Sequence, residues 1–340
     1  MEKRLYKDAT LLATIEKIKN IILKNGINVT EKLSEGFDGV FSVHIVIDSV
    51  GLGTSGKGLT KEAALASAYG ELMERIQNFA LYKFTFPINE NSKNLSFYYA
   101  PDEKEVNCNR YLDFIKVLGH AINIKDDEIC ILSKLNVSYE QKQNSFFVIP
   151  YKCYFKRTVI QLPAKLTEVI YASNGMAAGN TYSEALVQSI SEIFERYANK
   201  IIGEGNITPP DIPIDKIKFS PEVIGIIELL KKKGNFEIIF KDCSLGLGLP
   251  VVGMYFIDKD TGKYFVKFGA HPILTVAVER TITELFQGRK FINSILWLKP
   301  FSFLKIEDIG RNFEKIYRDG DGIYPYKIFA NQDSYAISDS

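Results

Sequence analysis

Histidine is scarce in this chain. His44, His120 and His271 are the full set, and none pairs with another at ligand spacing. A histidine-built zinc site or a histidine-based catalytic triad therefore has little to stand on. The four cysteines, Cys108, Cys130, Cys153 and Cys243, lie far apart with no CxxC. That excludes a zinc ribbon or redox pair and reads as free thiols in a reducing compartment. No apolar run approaches the ~20 residues a membrane span needs. The opening MEKRLYKDATLL has no signal-peptide hydrophobic region. Nor is there an excess of either charge: 42 Lys and Arg against 41 Asp and Glu leave +1. No global field argues for nucleic acid or an anionic membrane. The expectation is a cytoplasmic protein with no membrane and no direct nucleic-acid partner.

What is present is a core-forming composition: 340 residues, 46% hydrophobic and 24% charged. Such a chain can bury one large core or two ordinary ones. With no clean linker, it reads as one domain, 1–340. Helix and strand signals alternate, which predicts an α/β or α+β core. A first helix is expected after Asp8 as N-cap, with Leu11, Leu12, Ile15, Ile18, Ile21 and Ile22 as its apolar stripe and Gly26 as its stop. FSVHIVID (41–48) alternates as a strand. A helix follows over about 61–82. Residues 84–150 read as irregular, with FFVIP (146–150) a short strand candidate, and as an insertion or substrate-facing region. A second loop–helix unit runs from SNG (173–175) to about Ile202. TPPDIP (208–213) reads as a connector, 222–234 as a short helix, and 237–242, 249–258 and 263–270 as strands. A third helix is expected from Leu274 to Phe291.

The stretch GLGTSGKGLT (51–60) matches both GxGxxG and GxxxxGK. These patterns give the same glycines different jobs. A P-loop needs Ser or Thr where Gly58 stands, and no apolar run ending in Asp follows at a sensible distance. A dinucleotide fold needs an acidic residue at a second strand end, and only the helical Glu71 and Glu74 fall at that distance. Both matches are read as coincidences of a glycine-rich turn, and Lys57 as a loop charge.

Three helices carry a near-repeat. Ser67, Glu71, Glu74 and Arg75 spell SxxxExxER. Gln188, Glu192, Glu195 and Arg196 spell QxxxExxER, with Glu184 one turn earlier. Arg280, Glu284 and Gln287 spell RxxxExxQ. At about 100° per residue, each set falls within an arc of roughly 60–80°. Each helix thus presents one narrow polar stripe dominated by carboxylates. Like charges at this spacing repel by ~0.2–0.5 kcal/mol per pair, and a stripe serving only solubility would alternate Glu with Lys. The ordinary alternative is three solvated amphipathic faces. The shared register favours convergence on cations instead. Hard divalent ions take clustered carboxylates, and Mg2+ works with carboxylates plus substrate phosphates. Arg196 and Arg280 would then meet phosphate oxygens. The Asn174, Gly175 and Asn180 segment adds backbone donors for anions.

SGKGLTKEAALASAYGELMER, SNGMAAGNTYSEALVQSISEIFER and FGAHPILTVAVERTITELFQGR, in that order, resemble the YcaO family. The likeness extends to KDATLLATI and NITPPDIP. It is closer to the family's ribosomal-protein methylthiotransferase accessory factors than to its azoline-forming cyclodehydratases. The resemblance implies a YcaO-type fold of mixed sheets whose glutamate-bearing helices converge on ATP and Mg2+. It implies ATP-driven activation of a peptide backbone amide, with a radical-SAM methylthiotransferase as partner and a small-subunit ribosomal protein as substrate. A non-catalytic ATP-binding accessory role and thioamide or azoline formation are the alternatives. Whether the protein forms a homodimer is left open. Carried over by position, Glu71, Glu74, Glu184, Glu192, Glu195 and Glu284 match the family's metal ligands. Lys7, Asn180, Arg196 and Arg280 match nucleotide contacts. Thr14 and Ala177 stand where the family often has serine, and Ser67 and Gln188 also match the motif. No catalytic base is identified. The resemblance also leads one to expect a longer C-terminal region than the one ending SYAISDS, and no proline-rich tail is present.

Overall fold

The computed structural model describes residues 6–35, 40–78, 97, 99–107, 145–164, 173–204, 207–213, 215, 217–285, 312–313, 315–317, 320 and 322–324. The chain divides into two compact units, one of Met1–Arg75 with Asn174–Ser340 and the other of Ile76–Ser173. The architecture is mixed α/β, with three antiparallel three-stranded sheets among the described residues.

In the larger unit, α1 (Leu11–Lys24) buries Ile15, Ile18 and Ile22, one face at helical spacing. Its N-cap is Thr10, whose hydroxyl accepts from the Ala13 N–H at 3.2 Å, and not the expected Asp8. Asp8 is engaged elsewhere: it accepts a hydrogen bond from the Thr181 hydroxyl. Leu12 and Ile21, also assigned to the apolar stripe, stay exposed. Gly26 follows the helix with φ +72°, a value suited to glycine.

The first sheet joins β1 (Val29–Glu35), β2 (Phe41–Ile47) and β3 (Leu52–Gly58). Val43, Ile45 and Ile47 of β2 point inward at the expected period of two. The expected glycine-rich turn is strand β3; the turn itself lies at 48–51, closed by the Gly51 N–H donating to the Ile47 carbonyl at 2.9 Å. The glycines of β3 serve close packing. A Cβ on Gly56 would run into the backbone of Ala64 and Ala68, and one on Gly58 into Ala63 and Ala64. Helix α2 (Lys61–Gln77) can therefore lie directly on the strand, pinned where the Thr54 hydroxyl donates to the Ala68 carbonyl at 2.9 Å. The remainder of the expected helix, beyond 78, falls outside the described residues.

The second sheet of this unit joins β7 (Phe236–Asp242), β8 (Val251–Asp258) and β9 (Lys263–Ala270). It is covered on both faces. Val252, Met254 and Phe256 pack with α4 (Pro221–Lys233) and α5 (Leu274–Leu285). Val251 and Tyr255 face Ala198 and Ile202 of α3 (Tyr182–Gly203), with Ile316 and Tyr324. Each fully buried side chain of the Phe256 kind contributes about 1.5–3 kcal/mol. The TPPDIP connector is stitched to this sheet: the Ile212 N–H donates to the Phe240 carbonyl at 2.8 Å, and Asp211 pairs with the buried Lys241.

The smaller unit contains the third sheet, of β4 (Lys104–Asn107), β5 (Ser145–Lys152) and β6 (Val159–Pro163). β5 includes the anticipated FFVIP strand. Among the described residues, no helix is long and apolar enough to cross a membrane.

Candidate active site

Three helices of the larger unit carry the glutamates, and local sequence fixes how each enters the site. α2 starts where the Ala63 N–H meets the Thr60 hydroxyl. α3 is capped by Thr181, whose hydroxyl accepts from the Glu184 N–H. α5 follows His271, whose Nδ1 accepts from the Ile273 N–H at 3.0 Å. Burial and the nearby Arg280 charge lower the His271 pKa to about 4. The ring is neutral at physiological pH, and it makes an edge contact with Tyr6.

Five of the six expected metal glutamates come together. Glu71 and Glu74 on α2, Glu192 and Glu195 on α3, and Glu284 on α5 lie within electrostatic reach of one another. Burial raises Glu74 to about 8, helped by the like charges of Glu192 and Glu71. Burial raises Glu195 to about 7, with Glu284 and Glu192 adding to it. Glu71 and Glu192 are also raised, again chiefly by burial.

Bases thread this cluster. Arg75 lies 3.4 Å from Glu71 and 3.5 Å from Glu74. Arg196 lies 3.4 Å from Glu192 and 3.2 Å from Glu195, and its Nε donates to Asn174 Oδ1 at 3.0 Å. The Gly175 N–H donates to Glu192. Gly175 has φ +78° and packs against Ile193, so the SNG segment supplies the backbone donor foreseen for it, directed at a protein carboxylate. Lys57 of β3 pairs with Glu284. Burial opposes the Glu284 charge, but Lys57 and Lys267 outweigh it and hold this carboxyl below the usual range. Arg280 donates to the Ala270 carbonyl at 2.9 Å, and burial lowers its pKa.

Glu184 stands apart from the five. It lies eight residues before Glu192, about 12 Å along the helix, and forms a second cluster with other candidates. Lys7 Nζ donates to it at 3.1 Å, the Asp8 N–H at 3.0 Å and Asn180 Nδ2 at 3.2 Å. Thr14 donates to Asn180 Oδ1 at 3.0 Å. Burial is outweighed by these donors, so Glu184 is held charged. Lys7, Thr14, Asn180 and Glu184, drawn from two distant stretches, thus form one polar cluster. Ser67 is exposed on α2, Gln188 is half-buried on α3 and Ala177 is half-buried in the preceding loop. Gln287 lies outside the described residues.

Two residues escaped the sequence reading. Lys57, expected as a loop charge, stands on β3 and pairs with Glu284 of the carboxylate cluster. Asn199, one turn beyond Glu195, is fully buried, its amide atoms have no hydrogen-bond partner among the described residues, and it lies close to Gly320. An Asn at that helical spacing from Glu192 and Glu195 was the available signal.

The donor set suits Mg2+. It offers hard carboxylate oxygens from three helices, and burial makes four of the five, Glu71, Glu74, Glu192 and Glu195, reluctant to ionise without a cation beside them. Among the described residues, no three acidic, histidine or cysteine side chains are yet gathered tightly enough to hold an ion. Lysine and arginine stand between them instead.

The chain belongs to the YcaO family. The family's model, described as a YcaO cyclodehydratase that binds ATP and Mg2+, matches residues 55–319. The ribosomal protein S12 methylthiotransferase accessory factor YcaO of Escherichia coli is 32% identical over 342 residues, 98% of this chain and 58% of that protein. An uncharacterized Haemophilus influenzae protein is 32% identical over 344 residues with the same coverage. The chain thus spans 58% of the length of these two curated relatives. A heterocyclase solved with substrate and cofactor shares the fold, with a TM-score of 0.59 at 15% identity over 98% of this chain and 47% of its own.

Proposed function

We propose that this chain uses ATP and Mg2+ to activate a peptide backbone amide. The observation that carries this reading is the meeting of Glu71, Glu74, Glu192, Glu195 and Glu284 from three helices beside Arg196, in a chain of an ATP- and Mg2+-binding family. These five carboxylates would hold Mg2+. Held there, Mg2+ would supply neutralisation of the polyphosphate charge. Glu184, Lys7, Thr14 and Asn180 form the nucleotide-facing cluster, with the Ala177 loop, Ser67 and Gln188 beside the two. Arg196 and Arg280 offer guanidinium donors to phosphate oxygens.

In the reaction the substrate's amide oxygen bonds to the γ-phosphorus and ADP leaves. A nucleophile then attacks the activated carbon and phosphate departs. Such phosphoryl transfer depends on positioning and charge neutralisation, which fits a site rich in fixed charges. The name of the Escherichia coli relative favours a ribosomal protein as substrate and a methylthiotransferase as partner. It equally favours a second reading, in which the chain binds ATP but serves its partner by docking alone.

Calorimetric titration with ATP, with and without Mg2+, tests the core of the proposal. Binding that requires Mg2+ is expected, and its absence overturns the assignment. Glu71→Ala and Glu192→Ala separate the two readings. Loss of ATP hydrolysis together with loss of methylthiolation in cells supports activation. Loss of hydrolysis with methylthiolation intact supports docking.

A further inference from the structure

Lys57 occupies an unusual electrostatic position. It pairs directly with Glu284 on α5, and its charge also acts on Glu71 of α2 and Glu195 of α3. It thus reaches a carboxylate on each of the three helices. Arg75 acts on carboxylates of α2 and α3, and Arg196 on those of α3 and α5. The backbone beneath Lys57 is firm. It sits between Gly56 and Gly58, the two residues whose missing Cβ atoms let α2 lie on β3. β3 in turn is paired along its length with β2. The side chain is largely shielded, with 15% of its surface exposed. A fixed strand therefore delivers one mobile ammonium among the oxygens that the proposed function assigns to Mg2+.

We propose that Lys57 is a placeholder cation: it holds the three carboxylate-bearing helices together in the ligand-free protein and transfers to a phosphate oxygen when the nucleotide and its metal are bound. This inference rests on the assignment of the glutamates to Mg2+. The physical reason is charge exclusion. An ammonium paired with Glu284 competes with a divalent ion for the same oxygens, so the two cannot share that carboxylate at full strength. Lysine suits the exchange better than arginine, because its ammonium is a compact charge on a flexible four-carbon stem. The incoming nucleotide brings anionic oxygens to replace the lost partner. Lys57 thereby opposes the metal alone and favours the metal together with nucleotide, which couples the two bindings.

The test uses Lys57→Met and Lys57→Arg, with Mn2+ alone and ATP with Mg2+ as probes. Mn2+ binding is read by paramagnetic relaxation of water, and ATP binding by calorimetry. In Lys57→Met, Mn2+ alone should bind several-fold tighter, while ATP with Mg2+ should bind roughly tenfold more weakly. Lys57→Arg should keep the wild-type order of affinities with a smaller loss for ATP. Equal affinities in Lys57→Met and wild type for both probes overturn the proposal, as does a parallel weakening of both. Circular dichroism of each variant identifies a folding defect, and for a Met variant that does not fold the Lys57→Arg comparison decides. There, tighter Mg2+-dependent ATP binding in Lys57→Arg than in an equally folded Lys57→Gln variant, with Mn2+ alone bound more tightly by Lys57→Gln, supports the proposal, and equal ATP binding in the two overturns it. If the wild type itself shows no Mg2+-dependent ATP binding, it is the functional assignment that fails.

Discussion

The Lys241 side chain has no surface exposed to solvent, and it forms an ion pair with Asp211 in the connector. Removing an acid that a buried ammonium pairs with costs more than removing both members of the pair. Asp211→Ala is therefore expected to destabilise by about 2 kcal/mol, moderated because Asp211 keeps partial access to water. Lys241→Met replaces the stem with an apolar one of similar length and should cost less. Chemical denaturation of the two variants gives the order, and a larger loss for Lys241→Met contradicts it. At the site, Glu192→Gln keeps shape and removes a charge. Mg2+-dependent ATP binding should weaken at least tenfold, with the circular dichroism unchanged. Calorimetry on this variant checks it.

The elements show what could be read ahead of the fold. Glycine-to-alanine changes test the β3–α2 contact directly, because the same substitution has opposite signs at two places. At Gly56 the new Cβ meets the backbone of Ala64 and Ala68, so Gly56→Ala should cost roughly 1–3 kcal/mol. At Gly225, inside the exposed part of α4, nothing lies within 4 Å of the new atom. Gly225→Ala should stabilise by about 0.5–1 kcal/mol. Thermal denaturation of both proteins decides, and like signs would refute the packing account. The same contact explains why β3 is not legible from its own residues. Its Leu52–Gly58 sequence has little strand propensity, and what makes it a strand is pairing with β2 and the helix above it, neither visible locally. The three glutamate helices were legible because carboxylate spacing is a local signal. Lys57 was not, since its partner lies more than two hundred positions away. The cap of α1 shows a smaller version of this: Asp8 and Thr10 are both good caps by type, and Asp8 is drawn off by Thr181 and Glu184 across the fold.

For the whole molecule, the buried carboxylates tie stability to pH and to ligand. Glu74 and Glu195 have folded pKa values of about 8 and about 7, against 4.5 for an ordinary glutamate. A raised acid pKa means the folded state holds a proton that the unfolded chain releases. These groups therefore cost nothing below about 4.5, and their burden grows as pH rises through 7 and then 8. The ligand-free protein should lose stability from this source between pH 5 and pH 8.5. On the proposed assignment, bound Mg2+ and nucleotide should reverse the balance, because a metal held there requires the deprotonated oxygens and compensates their charge. Ligand binding to the native state also stabilises in proportion to its affinity. The rise in melting temperature on adding Mg2+ with ATP should accordingly be small near pH 6 and larger near pH 8.5. Glu74→Gln, which removes the most strongly shifted of these groups, should flatten the ligand-free profile and shrink the rise at pH 8.5. Scanning calorimetry of both proteins across this range checks the sign. A ligand-induced rise that falls as pH increases would place the acidic cluster outside the nucleotide's reach.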